Sequence, residues 1–259
     1  MNRSDMNTTF RLEPRGLDLR FRRVRLAART WITPTYVRVR LAGDDLIGFT
    51  SLGADDHIRV FFADATDASI DDLRAAPSRE YTPLVWDAEA GWLDLEFAIH
   101  GDDGIAAPWA ARAPIGSTAA IGGPRGSKVL IGRPDAWLLA GDETAIPAIR
   151  RFVAQMDAAA SGRVILEGMH PVPLETPAGI DISFVHRASA TPGSALAAHL
   201  DALTAGDRPP GAVLGFIAAE QAIVKPGRAL LLDRWALAPD QVIVKGYWKR
   251  GETEYHAPH

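Results

Sequence analysis

The chain has no cysteine in 259 residues. That excludes disulfides, thiolate metal sites, cysteine-held iron–sulfur clusters and thiol nucleophiles. It also lacks an excess of positive charge: 28 Lys and Arg against 32 Asp and Glu leave a formal net charge of -4. A chain so balanced has no overall attraction for nucleic acid or for an anionic membrane, and any basic patch must be local. No apolar run approaches the ~20 residues that a membrane span needs. The longest, such as 136–141 and 229–232, suit buried strands or helix faces. The opening stretch MNRSDMNTTFRLEPRG is polar and holds no apolar signal core. The expected address is therefore the cytoplasm, with no stable membrane insertion. No GxGxxG follows a strand candidate, so a tight Rossmann dinucleotide loop is not indicated. No cluster of metal ligands is visible, so no metal site is expected.

What is present is an ordinary globular mix, 47% hydrophobic and 23% charged, long enough for two domains at ~100–200 residues each. Residues 1–18 read as a flexible lead-in. Period-two alternation then marks strands over 19–27, 36–41, 58–62, 81–86, 93–99 and 118–122, with a turn-rich DATDASIDD between the third and the fourth. A short helix fits 106–113. The pattern changes near 128–135. Apolar strands at 136–140, 163–167, 182–185, 212–218 and 241–244 alternate with helices at 145–155, 194–203 and 221–234, the last interrupted by Pro226–Gly227. The fold class expected is thus α+β followed by α/β: an antiparallel β-barrel over 19–130, then a doubly wound parallel-sheet domain over 131–259.

Five segments carry residue types suited to chemistry. Arg79-Glu80-Tyr81-Thr82 opens a strand and places Arg79 and Tyr81 on one face. Such a strand can offer a flavin a cation for its pyrophosphate, an aromatic cover and a small hydroxyl. Taken alone, Arg79 reads first as a solvated surface cation and Tyr81 as a core ring. A strand ending Phe97-Ala98-Ile99-His100 runs through Gly101 and Gly104 into a helix with Ala106, Ala107 and Trp109. Helix starts bind phosphate through free amides, although His100 and Trp109 singly are ordinary strand-end and core residues. Gly122-Gly123-Pro124-Arg125-Gly126-Ser127 closes the first domain, as an interdomain turn or as a ligand contact. Gly141-Asp142-Glu143-Thr144-Ala145 follows an apolar strand, where ligands sit in doubly wound sheets; a bare strand–turn–helix is the other reading. Last, Lys245-Gly246-Tyr247-Trp248-Lys249-Arg250 sets two aromatics among three cations, either a strand end or a cationic lip for an anionic substrate. Lys225 and Arg228 are candidates to extend it.

In this order and spacing the motifs resemble the siderophore-interacting protein family, the ferric-siderophore reductases of the vibriobactin-utilisation type. The likeness runs from about residue 21 to residue 248 and includes 37–43 and Ala54-Asp55-Asp56-His57. It implies a FAD-binding barrel and an NAD(P)H domain that together pass electrons to an iron(III)-siderophore. By the resemblance, Arg79, Tyr81 and Thr82 hold the flavin, and Phe97, Ile99, His100, Gly104, Ala106, Ala107 and Trp109 line the rest of FAD. Gly141, Asp142, Glu143, Thr144 and Ala145 meet the nicotinamide nucleotide. Lys245, Trp248, Lys249 and Arg250 face the siderophore, Trp248 also reaching the cofactor. No side chain is assigned as a catalytic acid or base, and the iron is substrate. NADPH, NADH and ferredoxin stay open as donors, and a monomer is expected.

Two positions depart from the family pattern. Leu84 stands where a second arginine is usual, and Gly104-Ile105-Ala106-Ala107 where Gly-Pro-Ala-Ser is usual. The chain thus lacks one cation and one hydroxyl expected beside the FAD phosphates, each worth about 1.5–3 kcal/mol as a charged hydrogen bond. Two other functions are compatible with the sequence: a general NAD(P)H:flavin or electron-transfer reductase with a different partner, and a FAD-free siderophore- or nucleotide-binding module.

Overall fold

The computed structural model describes residues 10–63, 68–99, 104–252 and 255. The chain divides into two compact units. One comprises Pro14–Lys128, the other the chain from Val129 onward with the residues before Pro14.

The first unit is built on β2 (Phe21–Thr33), β3 (Tyr36–Ala42), β4 (Ile58–Phe62), β5 (Ser78–Tyr81), β6 (Val85–Asp87), β7 (Trp92–Ala98) and β8 (Thr118–Gly122). They form one antiparallel sheet in the order β5-β4-β8-β2-β3-β7-β6. Alternation explains why it has an inside. Val37, Val39 and Leu41 of β3, Ile58, Val60 and Phe62 of β4, and Leu93, Leu95 and Phe97 of β7 all enter one core. The opposite face of β3 and β7 is charged and matched across the strands. Arg38 pairs with Glu96 and Arg40 with Asp94 at 2.7 Å, in register, and the Arg40 guanidinium lies 3.7 Å from the Trp92 ring centroid. Among the described residues this unit carries two α-helices, α1 (Ile70–Ala75) and α2 (Ala106–Arg112). α1 lies in a segment expected to be only turns. Its signal was present in Ser69 and Asp72, whose side chains and backbone N–H groups bond reciprocally as a capping box.

The expected strand over 81–86 is two strands. Pro83, which has no N–H to give to a ladder, falls between them, and β5 and β6 pair at opposite ends of the sheet. The lead-in also differs from expectation. β1 (Phe10–Gly16) pairs with β9 (Gly126–Gly132), and its Phe10 side chain is buried. One buried ring in an otherwise polar stretch was too little to read.

The second unit holds β10 (Ala136–Gly141), β11 (Ser161–Gly168), β12 (Gly179–His186), β13 (Val213–Glu220) and β14 (Val242–Trp248). All pair in parallel in the order β12-β11-β10-β13-β14. β10 and β13 are buried along their whole length, as their continuous apolar sequence requires when both faces are covered. α3 (Ile146–Val153) covers one face, where Phe152 packs on Trp137 and Phe216. α4 (Ser194–Ala202) and α5 (Val224–Arg228) cover the other, with Leu196 and Leu200 against Leu138 and Ala140. Pro226–Gly227 does not interrupt α5, which instead widens into a π turn over Ala229–Arg234. Gly227 sits where the helix crosses β13 and β14, a Cβ there meeting Val244 at 3.0 Å. Among the described residues no helix is long and apolar enough to cross a membrane.

Candidate functional site

The winding of the parallel sheet reverses between β10 and β13. Ligands of such sheets bind outside the carboxyl ends of the strands at this point. The antiparallel sheet has a comparable singular place. β5 and β6 are its two outermost strands, yet only Thr82, Pro83 and Leu84 separate them in the chain. A link this short spans no more than ~14 Å, so the sheet must curl until its edges meet here. Closure is covalent, helped by the Leu84 N–H donating to the Asp94 carbonyl at 3.0 Å.

This link carries the Arg-x-Tyr-Thr residues, and several polar groups around it lack partners. The Arg79 guanidinium is half-buried, reaches the Ser78 carbonyl at 2.7 Å and meets no carboxylate among the described residues. Its neighbour Glu80 points to the other face and pairs with Arg59 at 3.3 Å. The Thr82 side chain is buried, and its hydroxyl makes no hydrogen bond among the described residues. Trp109 Nε1 is buried and also has no acceptor there. The Tyr81 ring lies 4.1 Å from Phe97, and Phe62 touches both, with Trp109 5.2 Å beyond it. Burial pushes the Tyr81 phenol well above its usual range, Arg79 opposing the rise. It therefore stays neutral.

α2 adds its first turn. Ile105 occupies the N-cap and supplies no side-chain bond. Gly104 before it takes a positive φ of 83°. The other end of α2 is braced from β2, where Arg29 donates to the carbonyls of Ala110 and Ala113 at 2.5 and 2.6 Å. Ala106 faces the core, while Ala107 and Ile99 are half-buried. His100 lies outside the described residues. The donor set, a cation, an indole N–H, a hydroxyl and uncapped amides, suits an anionic, acceptor-rich ligand with a flat ring, and FAD fits it. Leu84 is buried in the link, so the usual second arginine is replaced by a core side chain.

At the carboxyl edge of the parallel sheet the polar groups are fully engaged. Asp142 is 1% exposed and closes β10. One of its oxygens accepts from the Thr144 N–H at 2.9 Å and from the Thr144 hydroxyl. The other accepts from the Glu220 N–H at 3.1 Å and from the Trp248 indole N–H at 2.8 Å. Burial raises the Asp142 carboxyl to about 6, against the bonds from Thr144 and Trp248 that hold it down. Glu143 is also buried, takes both arms of Arg187 at 2.9 and 3.2 Å, and accepts from the Met169 N–H. Gly141 before them lets strands crowd, since a Cβ there would stand 2.6 Å from the Ala218 carbonyl oxygen. Thr144 is half-buried and Ala145 fully buried.

Sequence reasoning missed three members of this edge. Glu167, ending the apolar part of β11, accepts from the N–H groups of Gly193 and Leu196 and caps α4. Glu220, ending β13, accepts from the N–H groups of Ala222 and Arg250. Arg187 follows β12. Their shared signal was a charged residue closing each apolar run, but the partners, except Ala222, lie 26 to 44 residues away. Of the expected substrate lip, Trp248 is drawn inward to Asp142, and Lys249 is exposed and paired with Glu252. Lys245 is half-buried and Arg250 exposed. Asp142 and Trp248, assigned from separate motifs, are thus brought together.

Residues 25–128 match the family model of the siderophore-interacting FAD-binding domain, and residues 134–251 that of the siderophore-interacting protein. The chain is 29% identical to the ferric vibriobactin reductase ViuB of Vibrio cholerae, over 96% of this chain and 95% of that one. It is 37% identical to the NADPH-dependent ferric-chelate reductase of Escherichia coli over 56% of this chain and 61% of the other. The crystal structure of a siderophore utilization protein from T. fusca superposes with a TM-score of 0.82 at 30% identity, covering 95% of this chain and 98% of that one. With both units matched and a flavin-compatible set of orphan donors at the closing link, the chain belongs to the siderophore-interacting protein family.

Proposed function

We propose that this chain reduces iron(III)-siderophores with electrons from a reduced nicotinamide nucleotide, passed through FAD. The observation that carries the reading is the closing link of the antiparallel sheet, where, among the described residues, Arg79 meets no carboxylate and Trp109 Nε1 is buried without an acceptor. Burying the Trp109 donor without an acceptor costs about 1–3 kcal/mol, and a bound acceptor-rich group recovers it. FAD, when bound, would accept a hydride, two electrons with one proton, and give the electrons up singly.

The chain's own residues bind, orient and exclude water. Arg79 meets the pyrophosphate charge, and the first turn of α2 adds amides. Tyr81, held by Phe97 and Phe62, offers a neutral ring, and Thr82 offers a hydroxyl. No protein acid or base is needed to move an electron. The substrate iron(III) is bound by hard oxygen ligands that hold iron(II) far less well, so reduction releases it. Lys245, Trp248 and Arg250 are the residues we assign to the siderophore side. Lys249 contributes less, because Glu252 already neutralises it.

The test is anaerobic. The purified protein is loaded with FAD, reduced with NADPH or NADH, then mixed with a ferric siderophore and a ferrous chelator. The expected result is bleaching of flavin absorbance by the nucleotide, its return on adding the ferric complex, and trapped iron(II). Apoprotein that gains no flavin spectrum at saturating FAD overturns the reading. Equal rates with simple ferric chelates and siderophores would favour a general electron-transfer reductase.

A further inference from the structure

Asp142 and Trp248 bracket the place where the parallel sheet changes its winding. β14 is two strands from β10 in the sheet order, ~9.6 Å at ~4.8 Å per strand. For the Trp248 indole N–H to reach Asp142 at 2.8 Å, its ring must extend across the end of β13. Two features make this reach possible. The β13–β14 register slips at Ala219/Glu220, so Glu220 faces Trp248 directly. Gly246 then lets β14 run against the turn after β13, since a Cβ there would stand 2.8 Å from the Gln221 Cα. Asp142 itself is fixed from three strand ends: by its own place after β10, by the Glu220 N–H of β13 and by Trp248 of β14.

We propose that Asp142 is a positioning residue: its carboxylate latches the Trp248 indole over the switch point, so that the ring forms one wall of the nucleotide crevice. This rests on the reading that a nicotinamide nucleotide binds at this edge. It changes the role of Asp142 from a ligand contact to the group that orients one. Both Asp142 oxygens are already filled by four donors, whereas the Trp248 ring is only half-buried. An amide cannot replace the carboxylate. Each oxygen of Asp142 accepts, and the NH2 group of an asparagine would face donors whichever way it turned.

The experiment pairs Asp142→Asn with Trp248→Phe, which keeps one aromatic ring and removes the pyrrole ring with its N–H. Nucleotide binding is measured with NADP+ and NAD+ by calorimetry on the FAD-loaded protein. The indole N–H of Trp248 is followed by NMR, assigned by its loss in Trp248→Phe. In the parent that proton is expected to be slow to exchange with solvent. In Asp142→Asn it shifts and exchanges fast. A lost contact of about 1.4 kcal/mol is tenfold in affinity. We expect each single variant to weaken nucleotide binding about tenfold and the double variant no more than either. Additive losses, or nucleotide binding indifferent to Trp248→Phe, would overturn the proposal. Because Trp248→Phe leaves three of the four Asp142 bonds in place, it remains decisive if Asp142→Asn does not fold. If the parent binds neither nucleotide while its indole N–H is protected, the reading of the crevice fails and the wall role falls with it. An unprotected indole with normal nucleotide binding would sink the latch alone.

Discussion

The two units treat buried polarity in opposite ways. At the closing link of the antiparallel sheet, Arg79 meets no carboxylate and Trp109 Nε1 has no acceptor among the described residues. At the carboxyl edge of the parallel sheet, Asp142, Glu143, Glu167 and Glu220 are all buried and all hydrogen-bonded. The first arrangement is incomplete as a folded protein and becomes complete with a ligand. The second is complete without one. Residues of the first should matter to binding and little to folding, and residues of the second the reverse.

The sharpest way to break this contrast is Arg187→Met. It strands the Glu143 carboxylate, 4% exposed in its side chain, and removing one partner of a buried pair costs about 3–5 kcal/mol. Urea unfolding should show that loss, and the double variant with Glu143→Gln should recover much of it. A loss below about 1 kcal/mol would mean the pair is not buried in solution.

Arg79→Ala tests the other side. FAD affinity, read by quenching of flavin fluorescence, should fall by about 1.5–3 kcal/mol. Stability of the apoprotein should stay within about 0.5 kcal/mol. An apoprotein that loses stability while FAD binds normally would move Arg79 from site to scaffold.

A pH experiment addresses Asp142. Burial pushes its carboxyl up to about 6 in the fold from the ordinary 3.8, so the folded state holds this proton more tightly than the unfolded chain. The resulting stabilisation is whole below about pH 4 and is lost as pH rises through about 6. The stability of the parent relative to Asp142→Asn should therefore decline across that window and be flat above pH ~7. The total is on the order of 3 kcal/mol. A difference independent of pH would show that Asp142 is ionised throughout.

Trp109→Phe should have the smallest effect. The ring contact with Phe62 survives, and a donor without an acceptor disappears. The apoprotein should be unchanged or slightly more stable, while FAD binds about 0.5–1.5 kcal/mol more weakly, the worth of one neutral hydrogen bond. Equal FAD affinity would place the indole N–H outside the flavin site.

Much of this molecule was legible from local pattern alone. The 58–62 and 118–122 strands match their expected ends, because alternation and flanking turns are short-range signals. The change to a parallel sheet showed in the apolar runs of β10 and β13, which need cover on both faces. The motifs around Arg79 and Asp142 were visible as residue types in a spacing. Tertiary structure decided what those residues do. That Pro83 divides one apparent strand between two sheet edges depends on pairing partners far along the chain. That Asp142 turns inward to Trp248, 106 residues later, and Glu143 to Arg187, 44 residues later, follows from strand order. The order brings the ends of β10, β13 and β14 side by side, and no periodicity within a segment encodes which strand will be its neighbour.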